Sequence, residues 1–137
     1  MKDIANFLFE VGMLKKTPRT GFQFLGSGRE SVAEHITRTI FIGYTLSKLA
    51  GDVDELKLLK MCLFHDLPET RTGDMNYVNK KYVKVDEKKA IRDLAETLFF
   101  GKDLEAIIDE FNEKKTLVSL LAHDADQLSL ILQLKEY

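Results

Sequence analysis

Apolar residues recur at spacings of three and four almost from end to end of this chain, and only Pro18 and Pro68 bring proline into the pattern. A 3.6-residue period lines such residues up along one stripe of a helix, whereas a half-buried strand needs strict alternation. No stretch of useful length alternates, so the pattern predicts an all-α fold. A chain of 137 residues supplies one core comfortably and two poorly, so a single domain over residues 1–137 is expected.

The first helix is expected over residues 3–14, with Ile4, Phe7, Leu8, Val11 and Leu14 on one face. A loop over residues 15–30 follows, marked by Pro18, Gly21, Gly26 and Gly28. Ser31-Val32-Ala33-Glu34 reads as a capping box, which puts His35 in the first turn of the second helix. That helix should run to about Ala50 and stop at Gly51. A third should open near Asp52 or Asp54, carry Leu56, Leu59, Leu63 and Phe64 to His65-Asp66, and end or kink at Pro68. A polar connection from Glu69 to about Asn79 follows, with Thr72-Gly73-Asp74 as a turn. Helices over residues 86–100, closed by Gly101, and over 103–112, then a last one from Thr116, bring the total to about six. The last helix reaches Tyr137 without a Gly, Asn or Pro terminator, as it would if the chain were truncated there.

Several function classes fall away on composition. No apolar run approaches the roughly 18 to 20 residues that span a bilayer, and the N-terminus lacks a signal-peptide layout, so a cytoplasmic location is the default. A formal charge of −2 gives no global attraction to a nucleic acid polymer or an anionic membrane. An anionic small-molecule substrate would therefore have to be held by local charges or a metal. The one cysteine, Cys62, lies in an apolar run and reads as core.

Histidine is scarce: only His35, His65 and His123 are present. His65 directly precedes Asp66, and His123 lies three residues before Asp126. A borderline transition metal takes imidazole nitrogen and carboxylate oxygen, and ligands on neighbouring helices of a bundle can converge on it. Within the last helix, periodicity favours Asp124, near the stripe of Leu117, Leu121 and Leu128, over Asp126, which projects toward Ala122, Ser129 and Leu130.

The ensemble is recognisable. Gly12 to Gly21 with Pro18-Arg19-Thr20-Gly21, Glu30-Ser31-Val32-Ala33-Glu34-His35, Phe64-His65-Asp66-Leu67-Pro68-Glu69 with Thr72-Gly73-Asp74, and Asp124-Ala125-Asp126-Gln127-Leu128 resemble the HD-domain phosphohydrolases, and within them the 5′-deoxynucleotidase group. The likeness extends over essentially the whole chain. It implies an HD-domain helical bundle, a homodimer, and one divalent metal ion (Co, Mn, Zn, Fe or Mg) held by His35, His65, Asp66 and Asp126. It selects Asp126 through Asp126-Gln127 and the downstream Ile131-Leu132-Gln133 and Glu136-Tyr137. His123 is left as an accessory or surface histidine.

The same resemblance implies that Glu69 is the general acid or base, that Asp66 also orients the attacking water, and that Arg19 grips the phosphate. A guanidinium fork matches phosphate oxygens as a point charge does not; Arg29 and Arg38 are weaker candidates. Asp74 is assigned to the sugar near its 3′-hydroxyl, with Thr72 as a neighbour. Relatives commonly carry a Trp shortly after the Arg, against the 2′-hydroxyl, where this chain offers Phe22. The implied reaction is removal of the 5′-phosphate from a deoxyribonucleoside monophosphate. Two-metal phosphodiesterases of the superfamily need further histidines between the His-Asp pair and the last Asp, and residues 67–122 contain none. A triphosphate or alarmone hydrolase and a non-catalytic metal-containing module are the competing readings.

Overall fold

The computed structural model describes residues 1–136; Tyr137, the last residue of the Glu136-Tyr137 match, lies outside them. Among the described residues the architecture is all-helical, with one isolated bridge between Pro18 and Ser31. Helices α1 (Lys2–Val11), α2 (Val32–Ala50), α3 (Glu55–Phe64), the single turn α4 (Glu69–Thr72), α5 (Glu87–Ala95), α6 (Gly101–Glu113) and α7 (Leu117–Lys135) follow in chain order. Helices α2, α3 and α7 pack against one another; α6 lies on α3 and α7, and α5 on α6.

The expected caps form. The Ser31 hydroxyl accepts from the Glu34 amide at 3.1 Å while the Glu34 carboxylate accepts from the Ser31 amide at 2.8 Å, so α2 begins one turn before His35. Asp54 rather than Asp52 caps α3, accepting from the Lys57 amide, and Thr116 caps α7 through the Ser119 amide. Gly51 closes α2 at φ +84°, a left-handed conformation that a Cβ disfavours.

Several boundaries differ from expectation, and the helix expected over residues 86–100 already ends at Ala95. The first helix tightens into a 3₁₀ turn over Gly12–Lys15. Beyond Pro68 the chain makes a further helical turn instead of a plain loop, because proline suits the start of a helix, where its missing N–H costs nothing. Gly101 does not close the preceding helix; it opens α6, and a Cβ on it would lie 2.0 Å from the Ala95 carbonyl oxygen. Close approach, not chain reversal, is what requires glycine there.

Two apolar clusters support the site. One gathers Leu14, Val32, Ile36, Leu67, Leu94 and Leu104; the other gathers Leu58, Met61, Cys62, Ile107, Phe111 and Ala125, and Ile40 and Phe64 touch both. Cys62 is fully buried and its thiol is pushed up to about 12 by desolvation and then by Asp126, so it is core, as its apolar surroundings predict.

The buried face of α7 consists of Ser119, Ala122, Ala125, Ser129 and Gln133, while Leu117, Leu128 and Ile131 are exposed. Of the expected leucine stripe only Leu121 packs on the core; Leu117 and Leu128 point outward, and the small residues let α7 approach α2 and α3 closely. This inverts the periodicity reading: Asp124 is exposed and Asp126 half-buried.

Candidate metal centre and the cleft beside it

His35 enters from the first turn of α2, His65 from the C-terminal end of α3, Asp66 from the turn after it, and Asp126 from the middle of α7. Their donor atoms all lie within 4.8 Å of one another. His35 Nε2 is 2.7 Å from Asp126 Oδ1 and 3.5 Å from Asp66 Oδ2; His65 Nε2 is 3.4 Å and 3.3 Å from the same two oxygens. Ligands bonded at about 2.1 Å stand about 3 Å apart at right angles and about 4.2 Å apart when opposite, so these separations suit a common ion.

The backbone and a serine aim both rings. His65 Nδ1 donates to the Cys62 carbonyl at 2.8 Å. His35 Nδ1 lies 3.1 Å from Ser129 Oγ, whose own hydrogen turns toward the His35 carbonyl at 3.4 Å. With each Nδ1 protonated, each Nε2 presents its lone pair to the centre. Ser129 lies one turn after Asp126, so the α7 face that supplies one ligand orients another; its place on a small-residue face was the only signal for it in the sequence.

Donor chemistry and desolvation fit a cation. His65 Nε2 and Asp66 Oδ2 are buried without a hydrogen-bond partner, an arrangement that is costly unless something fills it. Burial opposes charge on His65, yet the Asp66 and Asp126 carboxylates outweigh it and hold the ring well above the usual imidazole range. Both carboxyls stay below their ordinary range despite burial: Asp66 because of the neighbouring His65 and His35 rings, Asp126 because of the His35 ring against it and the His65 ring beside it. The field here favours positive charge, which a divalent ion would supply in the proton's place.

Glu69 stands on α4, one turn beyond His65-Asp66, with Oε2 buried and unpartnered. Desolvation, then the Asp66 and Asp74 carboxylates, push it up to about 10, with Arg19 and His65 pulling the other way. Arg19 is largely buried, its Nη1 3.6 Å from Asp66 Oδ2 and its Nε 3.6 Å from Glu30 Oε1. Glu30 is buried at 4% exposure and gives Arg19 its counter-charge; its identity was visible in the Glu30-to-His35 stretch but its role was not.

A cleft of about 520 Å³ opens over this cluster, lined by Arg19, Phe22, Asp66, Glu69, Asp74 and Asp126 among others. Asp74 also joins its two walls: its Oδ2 accepts from the Thr20 amide at 2.8 Å, and Asn76 Nδ2 donates to the Thr20 hydroxyl at 3.3 Å. Thr72 does not line this cleft. Its hydroxyl donates to the Gly73 carbonyl and it borders the cavity next door. Arg38 pairs with Glu136 at 2.6 Å and lines a separate cavity with Arg29. His123 is no ligand: its Nε2 donates to the Phe111 carbonyl at 2.6 Å and its ring stacks on Phe111, which in turn lies 5.2 Å from His65.

The family model described as HD domain matches residues 11–137. The chain belongs to the HD-domain family. Its HD domain is 34% identical to the 5′-deoxynucleotidase HDDC2 of Dictyostelium discoideum, across all of this chain and 78% of that protein. It is 26% identical to the human protein of the same name, across 99% and 69%. Among solved structures it is similar to a conserved hypothetical protein from Pyrococcus furiosus, with a TM-score of 0.85 and 32% identity over 97% of this chain and 81% of that one. A Pyrococcus horikoshii protein gives 0.79 and 28%, over 94% and 75%.

Proposed function

We propose that this HD domain is a metal-dependent phosphohydrolase that removes the 5′-phosphate from deoxyribonucleoside monophosphates. The observation that carries the reading is the convergence of His35, His65, Asp66 and Asp126 beside a half-buried Glu69 and Arg19 in one cleft. The names of the relatives support the substrate class.

His35, His65, Asp66 and Asp126 would hold one divalent ion. Such an ion, when bound, lowers the pKa of a bound water toward neutrality and offsets charge on a phosphoryl oxygen. Arg19, braced by Glu30, takes the phosphate oxygens through its fork. Asp66 is placed both to ligate and to accept a hydrogen bond from the attacking water. Glu69, protonated by burial and by its acidic neighbours, can give its proton to the leaving sugar oxygen. Water adds to phosphorus, the P–O5′ bond breaks, and nucleoside and orthophosphate leave. Asp74 contacts the sugar from the stapled wall. Phe22 lines the same cleft, and its bulk disfavours a 2′-hydroxyl.

We further infer one domain over residues 1–137, a cytoplasmic enzyme and a homodimer. Exposed Phe41, Tyr44, Leu128 and Ile131 on α2 and α7 support the last; no helix among the described residues is long and apolar enough to cross a membrane. The test is phosphate release from paired dAMP and AMP after EDTA treatment and stepwise return of single metals. Turnover of dAMP in preference to AMP is expected. Absence of turnover with every metal overturns the enzymatic reading, and equal turnover overturns the role of Phe22.

A further inference from the structure

A single exposed ring needs no explanation, because much of any folded surface is apolar. Tyr77 differs in being 67% exposed and yet pinned at the mouth of the cleft over the metal cluster. Its neighbour Asn76 is buried, and Asn76 Oδ1 accepts from the Val78 and Asn79 amides at 3.0 and 2.9 Å, closing a turn with Tyr77 inside it. Asn76 Nδ2 donates to the Thr20 hydroxyl at 3.3 Å, across 56 residues of chain. Thr20 opens the 3₁₀ turn Thr20–Phe24. The other end of that turn comes back to the same place: the Phe24 ring lies 5.8 Å from the Tyr77 ring, tilted by 51°. A hydrogen bond at one end and an aromatic pair at the other therefore fix Tyr77 against the arginine wall.

The cleft grades from buried and charged to exposed and apolar. At its floor the Asp66 and Asp126 side chains are 16% and 23% exposed. Asp74 comes next, half-buried and bonded to the Thr20 amide. At the rim stand Tyr77, Leu25, which is half exposed, and Leu130. A nucleotide that enters with its 5′-phosphate at the floor and its sugar at Asp74 has only its base left to place, and the base meets this rim. The rim is poorly equipped to read a base edge: of its two amide side chains, Asn76 is used in its own turn and Gln127 is exposed to water. A flat ring held in place needs no edge, because every base has a π-face.

We propose that Tyr77, backed by Phe24, is the platform on which the nucleobase stacks, and that it makes the domain select nucleotides over base-free pentose phosphates. The inference rests on the hydrolase reading above and names the residue that decides its substrate class. Tyr77 touches the base and none of the reacting atoms, so it acts on substrate binding and leaves the breaking of the P–O5′ bond to the groups at the floor. Its ring carries the effect, and its hydroxyl does not.

The test measures phosphate release by the metal-loaded protein, Tyr77→Ala and Tyr77→Phe on two substrates, dAMP and 2-deoxyribose 5-phosphate, which has the same phosphate and sugar and no base. Tyr77→Ala is expected to raise KM for dAMP about tenfold, as loss of one base–aromatic stack does, with kcat within about twofold. The same variant should leave kcat/KM for 2-deoxyribose 5-phosphate within about twofold, and Tyr77→Phe should keep the parent KM for dAMP. An unchanged KM for dAMP in Tyr77→Ala overturns the platform. An equal fall on both substrates overturns it too, because the residue would then only support the cleft. Turnover of neither substrate by the parent would count against the hydrolase reading instead. Calorimetric binding of the two ligands to parent and Tyr77→Ala then decides the platform alone: weaker dAMP binding in the variant with base-free binding unchanged supports it, and any other pattern overturns it.

Discussion

Replacing Asp126 by Ala should empty the metal centre, and replacing Asp124, two residues earlier on the same helix, should not. The two carboxylates differ in what they face: Asp126 Oδ1 lies 2.7 Å from His35 Nε2 and 3.4 Å from His65 Nε2, whereas Asp124 is exposed. Four-ligand sites are worth roughly 10 to 16 kcal/mol, so one ligand accounts for about 3 kcal/mol, or a loss of about 100- to 1,000-fold in affinity. Asp124→Ala should stay within about threefold of the parent, as expected for a solvated surface charge. The assay is competition of each stripped protein against a fluorescent chelator for Zn²⁺ or Co²⁺ at neutral pH, with the Tm checked beside it. Loss of the metal in Asp124→Ala with retention in Asp126→Ala, or equal binding by both, would rule out Asp126 as the ligand.

Gly101→Ala should destabilise the protein by about 3 kcal/mol in urea unfolding, because the new Cβ meets the Ala95 carbonyl oxygen at 2.0 Å and backbone has to shift; a change below about 0.5 kcal/mol would contradict that contact. The Arg71 guanidinium grips Glu10 through two bonds, at 2.8 and 2.9 Å, and these hold the carboxyl below its ordinary value against partial burial. A depressed carboxyl contributes stability that is present above its unfolded pKa and lost as pH falls through the folded one. Glu10→Gln should therefore cost up to about 1 kcal/mol at neutral pH, discounted for exposure, and the gap to the parent should close in acid. A gap that widens in acid would reverse the sign. His123→Ala should lower metal affinity about tenfold, by freeing Phe111 from the His123 stack and loosening its packing on His65; an unchanged affinity would make His123 merely structural.

Much of this arrangement is legible from residues alone, and the exceptions have physical causes. The caps at Ser31 and Thr116 are local chemistry, so α2 and α7 begin where the sequence predicts. Glycine is ambiguous between ending a helix and allowing close approach, and at Gly101 the second holds because the Ala95 backbone occupies the space. Periodicity failed on α7 since it weighs large apolar residues, whereas the buried face there is alanine and serine; the resemblance to a known ligand order points to Asp126, the carboxylate that joins the cluster. Ser129, Glu30 and Phe111 could not be read in advance, because each acts through a partner distant in sequence: His35, Arg19 and His65. Thr72, expected at the sugar, turns its hydroxyl to the next carbonyl instead.

On the proposed reading, one ion held in the His35–His65–Asp66–Asp126 cluster, with Glu69 beside it, supports hydrolysis of a phosphate ester. Titrating a single divalent metal into chelator-stripped protein while recording both bound metal and nucleoside release from dAMP tests it directly. Activity should rise in proportion to bound metal and level at one equivalent per chain, and Glu69→Gln should bind the same equivalent with little turnover. Full activity in the stripped protein, or in Glu69→Gln, would contradict it.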